Sequence, residues 1–138
     1  MLDITDLDSL VDALSTPSEA VVTDLADLDG DLVLLGVGGK LGPELAVMAR
    51  RALDKAGSDA KVTGVARLLN PATEERLRRE GVRLQRADLL DEDALAGLPD
   101  AAAVVYLVGR KFGTSGDEAP TWLVNTYLPG RVARAGMC

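Results

Sequence analysis

The sequence predicts an α/β fold in which a parallel four-stranded sheet, ordered 3-2-1-4, lies between layers of helices. Three observations predict it. Short apolar runs alternate four times with helix-patterned segments, and a chain that re-enters a sheet in the same direction needs a crossover, usually a helix. The first run, Asp31-Leu32-Val33-Leu34-Leu35-Gly36, is apolar without interruption, as suits a strand buried on both faces. The turn after it is rich in glycine and opens a helix, which with right-handed crossovers favours that strand order.

The elements follow in order. Ile4, Leu7, Leu10, Val11 and Leu14 stand at helical spacing with aspartates between them. Thr16-Pro17-Ser18-Glu19 reads as a second helix start, with Thr16 as cap, Pro17 in the first turn and Glu19 closing a capping box. Val21, Val22, Leu25 and Leu28 continue that helix to Asp29-Gly30, so residues 1–30 form a short acidic helical arm before the main domain of residues 31–138. After the first strand, a helix from Gly42 or Pro43 carries Leu45, Met48, Ala49, Ala52 and Leu53 on one side and stops at Gly57. Lys61–Ala66 is the second strand. Asn70-Pro71 caps a helix running to Gly81, Val82–Arg86 is a third, more polar strand, and Asp91–Leu98 is a short helix. Ala101–Val108 is the fourth strand. Residues 117–135 hold a last helix, expected to be strained near Pro129-Gly130, where its register breaks.

Composition narrows the function classes. At 47% apolar and 27% charged residues the chain is globular rather than disordered. It has no histidine, and its one cysteine is Cys138, so neither an internal disulfide nor a cysteine metal site is expected. No apolar run approaches the roughly 18 residues of a membrane span, and the acidic start lacks a basic signal-peptide region. A cytoplasmic setting is therefore expected. The net charge of −7 is uneven: residues 1–31 carry nine acids and no base, whereas residues 32–138 carry thirteen acids and fifteen bases. A nucleic-acid surface is not indicated. The acidic arm is either a solvated helical face or an arm docking on basic surface of its own chain or a partner.

The loop Gly36-Val37-Gly38-Gly39-Lys40-Leu41-Gly42 is the candidate phosphate site. Gly36 turns the chain tightly off the strand, Gly38 and Gly39 let backbone approach a pyrophosphate, and Gly42 lets the helix pack on the sheet. The helix N-terminus offers N–H groups to the anion, and Lys40 adds a point charge. A mononucleotide loop of the type G-x-x-x-x-G-K-[ST] is excluded twice, because Leu34 stands where its first glycine belongs and Leu41 where its hydroxyl belongs. The spacing instead fits a Rossmann-like dinucleotide fold. In such a fold the second strand ends at the adenosine ribose. Here that end is Arg67 rather than an acid, which suits a 2′-phosphate and points to NADP, with NAD as the alternative. Asp88 either accepts from the adenine amino group, with Leu89 against the ring, or serves the start of the next helix. Gly109 permits close approach to the nicotinamide-side ribose, and Arg110–Gly116 forms either a lid or a plain connection.

Taken in order, Gly-x-x-Gly-x-x-Gly after the first strand, Ala87-Asp88-Leu89 after the third, Tyr106-Leu107-Val108-Gly109 after the fourth and Trp122-x-x-Asn125-Thr126 beyond resemble the extended short-chain dehydrogenase/reductases. More narrowly they are similar to the NAD-dependent epimerase/dehydratase family, over about residues 31–135. The resemblance implies that Gly36, Gly39 and Gly42 hold the pyrophosphate, Asp88 and Leu89 the adenine, and Val108 and Gly109 the nicotinamide side. It implies that Asn125 supports the active site through backbone and water contacts. Arg67 departs from the acid usual in NAD-using members.

The family's serine/threonine and Tyr-x-x-x-Lys pair lie beyond the asparagine helix, and the sequence ends at Cys138 before either. Tyr106 and Tyr127 are each followed four residues later by arginine, Arg110 and Arg131, not lysine. No catalytic residue and no metal ligand are expected within the chain, which reads as a truncated N-terminal half. Three readings compete: the cofactor-binding part of an oxidoreductase or epimerase acting on a nucleotide-sugar or other small hydroxyl/carbonyl substrate, a non-catalytic dinucleotide-binding sensor or interaction protein, and a non-functional fragment of a gene. The uncharged fourth strand, with an outer edge left unpaired, is expected to promote self-association.

Overall fold

The computed structural model describes residues 3–110, 116 and 118–135. Helices α1 (Leu7–Leu14) and α2 (Glu19–Ala26) precede β1 (Leu32–Leu35), α3 (Gly42–Lys55), β2 (Val62–Ala66), α4 (Pro71–Arg79), β3 (Arg83–Arg86), α5 (Glu92–Ala96) and β4 (Ala103–Tyr106). The next helical segment has three parts: α6 (Ala119–Trp122), a π-turn (Leu123–Tyr127) and α7 (Leu128–Arg134). The sheet is parallel throughout in the order β3-β2-β1-β4, as the sequence predicts.

β1 lies between β2 and β4, and all four of its residues are buried. Side chains alternate across a strand, so Leu32 and Leu34 enter one core and Val33 and Leu35 the other. The first core is closed by α3 and α4 through Ala46, Val47, Leu53 and Leu77. The second is closed by Leu95 of α5 and by Leu128 and Val132 of α7. Burying each such leucine or valine fully is worth about 1.5–3 kcal/mol, so this one strand anchors both layers.

The acidic arm packs on the α3/α4 layer. Leu25 and Leu28 join the first core. Arg51 of α3 bonds Asp12 of α1 at 2.7 Å and Glu80 at 3.2 Å. Arg76 of α4 bonds Glu44 at 2.9 Å and donates to the Ser15 hydroxyl at 3.1 Å, and Ser15 itself is fully buried.

One local expectation needs correction. The cap of α2 is Ser18, whose hydroxyl accepts from the Val21 N–H, not Thr16. The Thr16 hydroxyl donates instead to the Asp12 carbonyl and so finishes α1. The strain expected near Pro129-Gly130 takes the form of a shifted register rather than an end of the helix, since both residues lie inside α7. The π-turn just before absorbs the proline: the Leu128 N–H reaches back five residues to the Leu123 carbonyl, and Pro129 has no N–H to offer. The Val124 carbonyl is thereby left without a helical donor, and the Tyr106 hydroxyl supplies one at 3.0 Å.

Candidate functional site

A cleft of about 590 Å³ opens at the C-terminal ends of the strands. That is where doubly wound sheets place ligands, at the point where successive crossovers change side. Its floor is the turn after β1, with Gly36, Gly38 and Gly39 on its surface. Arg67 and Leu68 flank it after β2, Asp88 and Leu89 after β3, and Val108 and Gly109 after β4. The remaining wall comes from the α6–α7 segment, through Pro120, Leu123, Val124 and Leu128.

The glycines of the turn are required for reasons partly different from those expected. Gly36 has φ +88°, and a Cβ there would lie 2.9 Å from the backbone nitrogen of Val108. It lets the turn pass the exit of β4. A Cβ on Gly38 would stand 2.8 Å from the Leu68 carbonyl, so this glycine fits the loop against the end of β2. Gly42 is buried against the turn itself, not the sheet: a Cβ there would meet the Val37 carbonyl at 2.5 Å. The Gly39 N–H closes the turn onto the Gly36 carbonyl at 3.1 Å. The helix beyond starts without a side-chain cap, because its cap residue is Leu41. No side chain therefore competes for the partial positive charge of that helix end.

Not every expected residue lines the cleft. Lys40 and Leu41 are exposed beside it, and Gly42 lies behind the loop. Arg67 does line it, with its side chain largely in solvent and one guanidinium nitrogen 3.9 Å from the Asp88 carboxylate. The other Asp88 oxygen accepts from the Leu90 N–H at 3.1 Å, a local turn. The cap of α5 is Asp91, not Asp88. Leu89 is a member of the second core that also reaches the cleft.

Asn125 does not touch the cleft but grips the strand exit that does. Its Oδ1 accepts from the Arg110 N–H and its Nδ2 donates to the Arg110 carbonyl, both at 2.8 Å. This two-point hold fixes the backbone next to Gly109. The tyrosines have other employment. Tyr106 is bonded to Val124, and burial raises its pKa above the ordinary tyrosine value. Tyr127 lies under the Arg131 guanidinium, 5.9 Å from the ring centre, and Arg131 also bonds the Leu90 carbonyl and Glu92. Lys111–Ser115, most of the proposed lid, lie outside the described residues.

Sequence reasoning missed the α6–α7 wall, since its arrival depends on long-range packing. It also missed Gly64 of β2, where a Cβ would sit 2.9 Å from the Val37 side chain. A glycine inside a strand run was the available signal. Among the described residues no group of acids, histidines or cysteines is arranged to hold a metal, and no helix is long and apolar enough to cross a membrane.

No protein-family model matches the chain, and no curated protein sequence matches it. Among solved structures it is similar to the crystal structure of the PbgP3 protein from Burkholderia pseudomallei, with 17% identity and a TM-score of 0.53 over 78% of this chain and 32% of that one. The chain therefore spans about a third of that protein's length. At this identity the likeness is one of fold, and together with the sheet order it makes the architecture Rossmann-like.

Proposed function

We propose that the chain binds a nicotinamide dinucleotide across the C-terminal edge of its sheet, as the cofactor-binding part of an oxidoreductase or epimerase. The observation that carries this reading is the turn after β1. Its glycines keep the floor of the cleft free of side chains, and an uncapped helix N-terminus stands beside it. A pyrophosphate at Gly36–Gly42 meets main-chain amides there. Adenine lies against Leu89 within reach of Asp88, and the nicotinamide end passes Val108 and Gly109. Arg67 favours NADP over NAD, since a planar guanidinium suits a 2′-phosphate.

When bound, such a cofactor supplies hydride transfer; the chain's own residues bind and orient it. A nucleotide-sugar or small hydroxyl/carbonyl compound is the substrate class this reading favours. The second reading is a dinucleotide-responsive sensor or interaction protein. It is favoured by the employment of Tyr106 and Tyr127, which leaves neither as an acid/base beside the cleft. The outer edge of β4 pairs with no strand among the described residues.

Titrating NADPH and NADH and following nicotinamide emission tests both parts. NADPH is expected to bind more tightly, and Arg67→Ala to weaken NADPH about tenfold or more, the size of one charge-assisted contact, with little effect on NADH. Tight NADH with weak NADPH overturns the role of Arg67; no binding of either overturns the site.

A further inference from the structure

Two apolar surfaces on opposite sides of the molecule have no partner among the described residues. One is on α1. Leu7, Leu10 and Leu14 recur at i, i+3 and i+7, the anchor spacing of a helix that lies in a groove, and Leu7 and Leu14 are 72% and 52% exposed. The other is a groove of about 990 Å³ on the outer side of the α6–α7 segment and α5. Trp122 and Tyr127 line it at 66% and 57% exposure, with Leu123 between them.

These surfaces cannot meet within one chain. Asp12 and Ser15 fasten α1 to the α3/α4 layer through Arg51 and Arg76. The groove belongs to the opposite layer, since Leu95, Leu128 and Val132 pack into the second core. Charge favours their meeting between chains. α1 stands in a segment of nine acids and no base, and the groove carries Arg131 and Arg134 against one acid, Glu92. Since Glu92 already pairs with Arg131, Arg134 is the cation left for an incoming acidic helix. Tryptophan, tyrosine and arginine are also the side chains that most often dominate binding energy.

We infer that α1 of one molecule docks in the Trp122–Tyr127 groove of a second copy. The contact joins two different surfaces, so it is heterologous and head-to-tail, growing into chains or closing into rings.

The test uses the whole chain and two surface variants: L7Q/L14Q, which removes the α1 stripe, and Y127Q/R134E, which spoils the groove while keeping Trp122. Sedimentation velocity of the wild type from micromolar to millimolar concentration is expected to show growth beyond the dimer. The emission of Trp122, the only tryptophan, is expected to shift to the blue as it grows. Each variant alone is expected to stay monomeric. A one-to-one mixture of the two, with one good interface between them, is expected to form dimers and stop. Circular dichroism of both variants confirms that they are folded. A wild type that stays monomeric with unshifted emission overturns the inference. So does assembly that survives in either variant alone, which would assign it to another surface. Because no dinucleotide enters the experiment, its failure is independent of the proposed cofactor site.

Discussion

At the scale of single residues, the side chains that shape the cleft mostly do so without touching it. Gly42 and Gly64 let Val37 sit beneath the turn, and Asn125 holds Arg110 by both its N–H and its carbonyl. The pairing mimics a ladder rung beyond β4, which has no outer neighbour among the described residues. Replacing Asn125 by alanine removes two hydrogen bonds that water can partly replace, a net loss of about 1–2 kcal/mol. The sharper effect is expected locally: the Arg110 amide should exchange with solvent far faster while amides in β1 keep their protection. Asn125→Asp retains the acceptor, loses the donor and brings a carboxylate to the Arg110 carbonyl. It should therefore fail to restore that protection. Hydrogen exchange read by NMR checks both, and unchanged exchange at Arg110 in the alanine variant would remove Asn125 from this role.

At the scale of elements, the π-turn ties the last helical segment to the sheet. Pro129 leaves the Val124 carbonyl unfilled, and Tyr106 reaches it from the end of β4. Tyr106→Phe leaves that carbonyl partly buried without a donor, so unfolding by urea should show a loss of about 1–3 kcal/mol. A neutral variant would mean that water takes the hydroxyl's place. This contact also marks where sequence reading reached its limit. β1 was legible because an unbroken apolar run followed by glycine has few other uses, and the parallel order followed from the alternation of elements. The disturbed register near Pro129-Gly130 was legible, but the path of α6–α7 was not, since only the packing of Leu128 and Val132 into the second core decides it. The start of α2 was misplaced for a similar reason: Thr16 and Ser18 are both good caps, and the bond from Thr16 to Asp12 decides between them. For α1 the cap is Asp6, whose pKa is lowered chiefly by the Ser9 N–H it accepts. Its stabilising effect is complete above the ordinary aspartate range and is lost as pH falls through the lowered value. In acid the N-terminal turn of α1 should therefore fray first, with exchange at the Ser9 amide rising ahead of that in the sheet.

At the scale of the whole molecule, one sheet serves two layers with different duties. The layer of α3 and α4 holds the arm through arginines on its surface, and the layer of α5, α6 and α7 supplies both the wall of the cleft and the outer groove. Leu123 lines both hollows, so the same short segment faces the proposed ligand on one side and the proposed second copy on the other. A ligand bound at the strand ends draws together the turn after β1, the ends of β2 and β3 and the helical wall, none of which is assembled in the unfolded chain. Binding is then linked to global stability. At a hundred times its dissociation constant a ligand confined to the folded state adds about 2.7 kcal/mol. For a chain of 138 residues that corresponds to a rise in Tm of roughly 10 °C. NADPH should produce this rise, and adenosine 2′,5′-bisphosphate, which keeps the 2′-phosphate but lacks the pyrophosphate bridge, should produce less at equal concentration. Equal shifts for the two would mean that the second phosphate and the nicotinamide half add nothing to binding, since the bisphosphate still offers a 5′-phosphate to the glycine turn, and would leave the site one for the adenosine half alone.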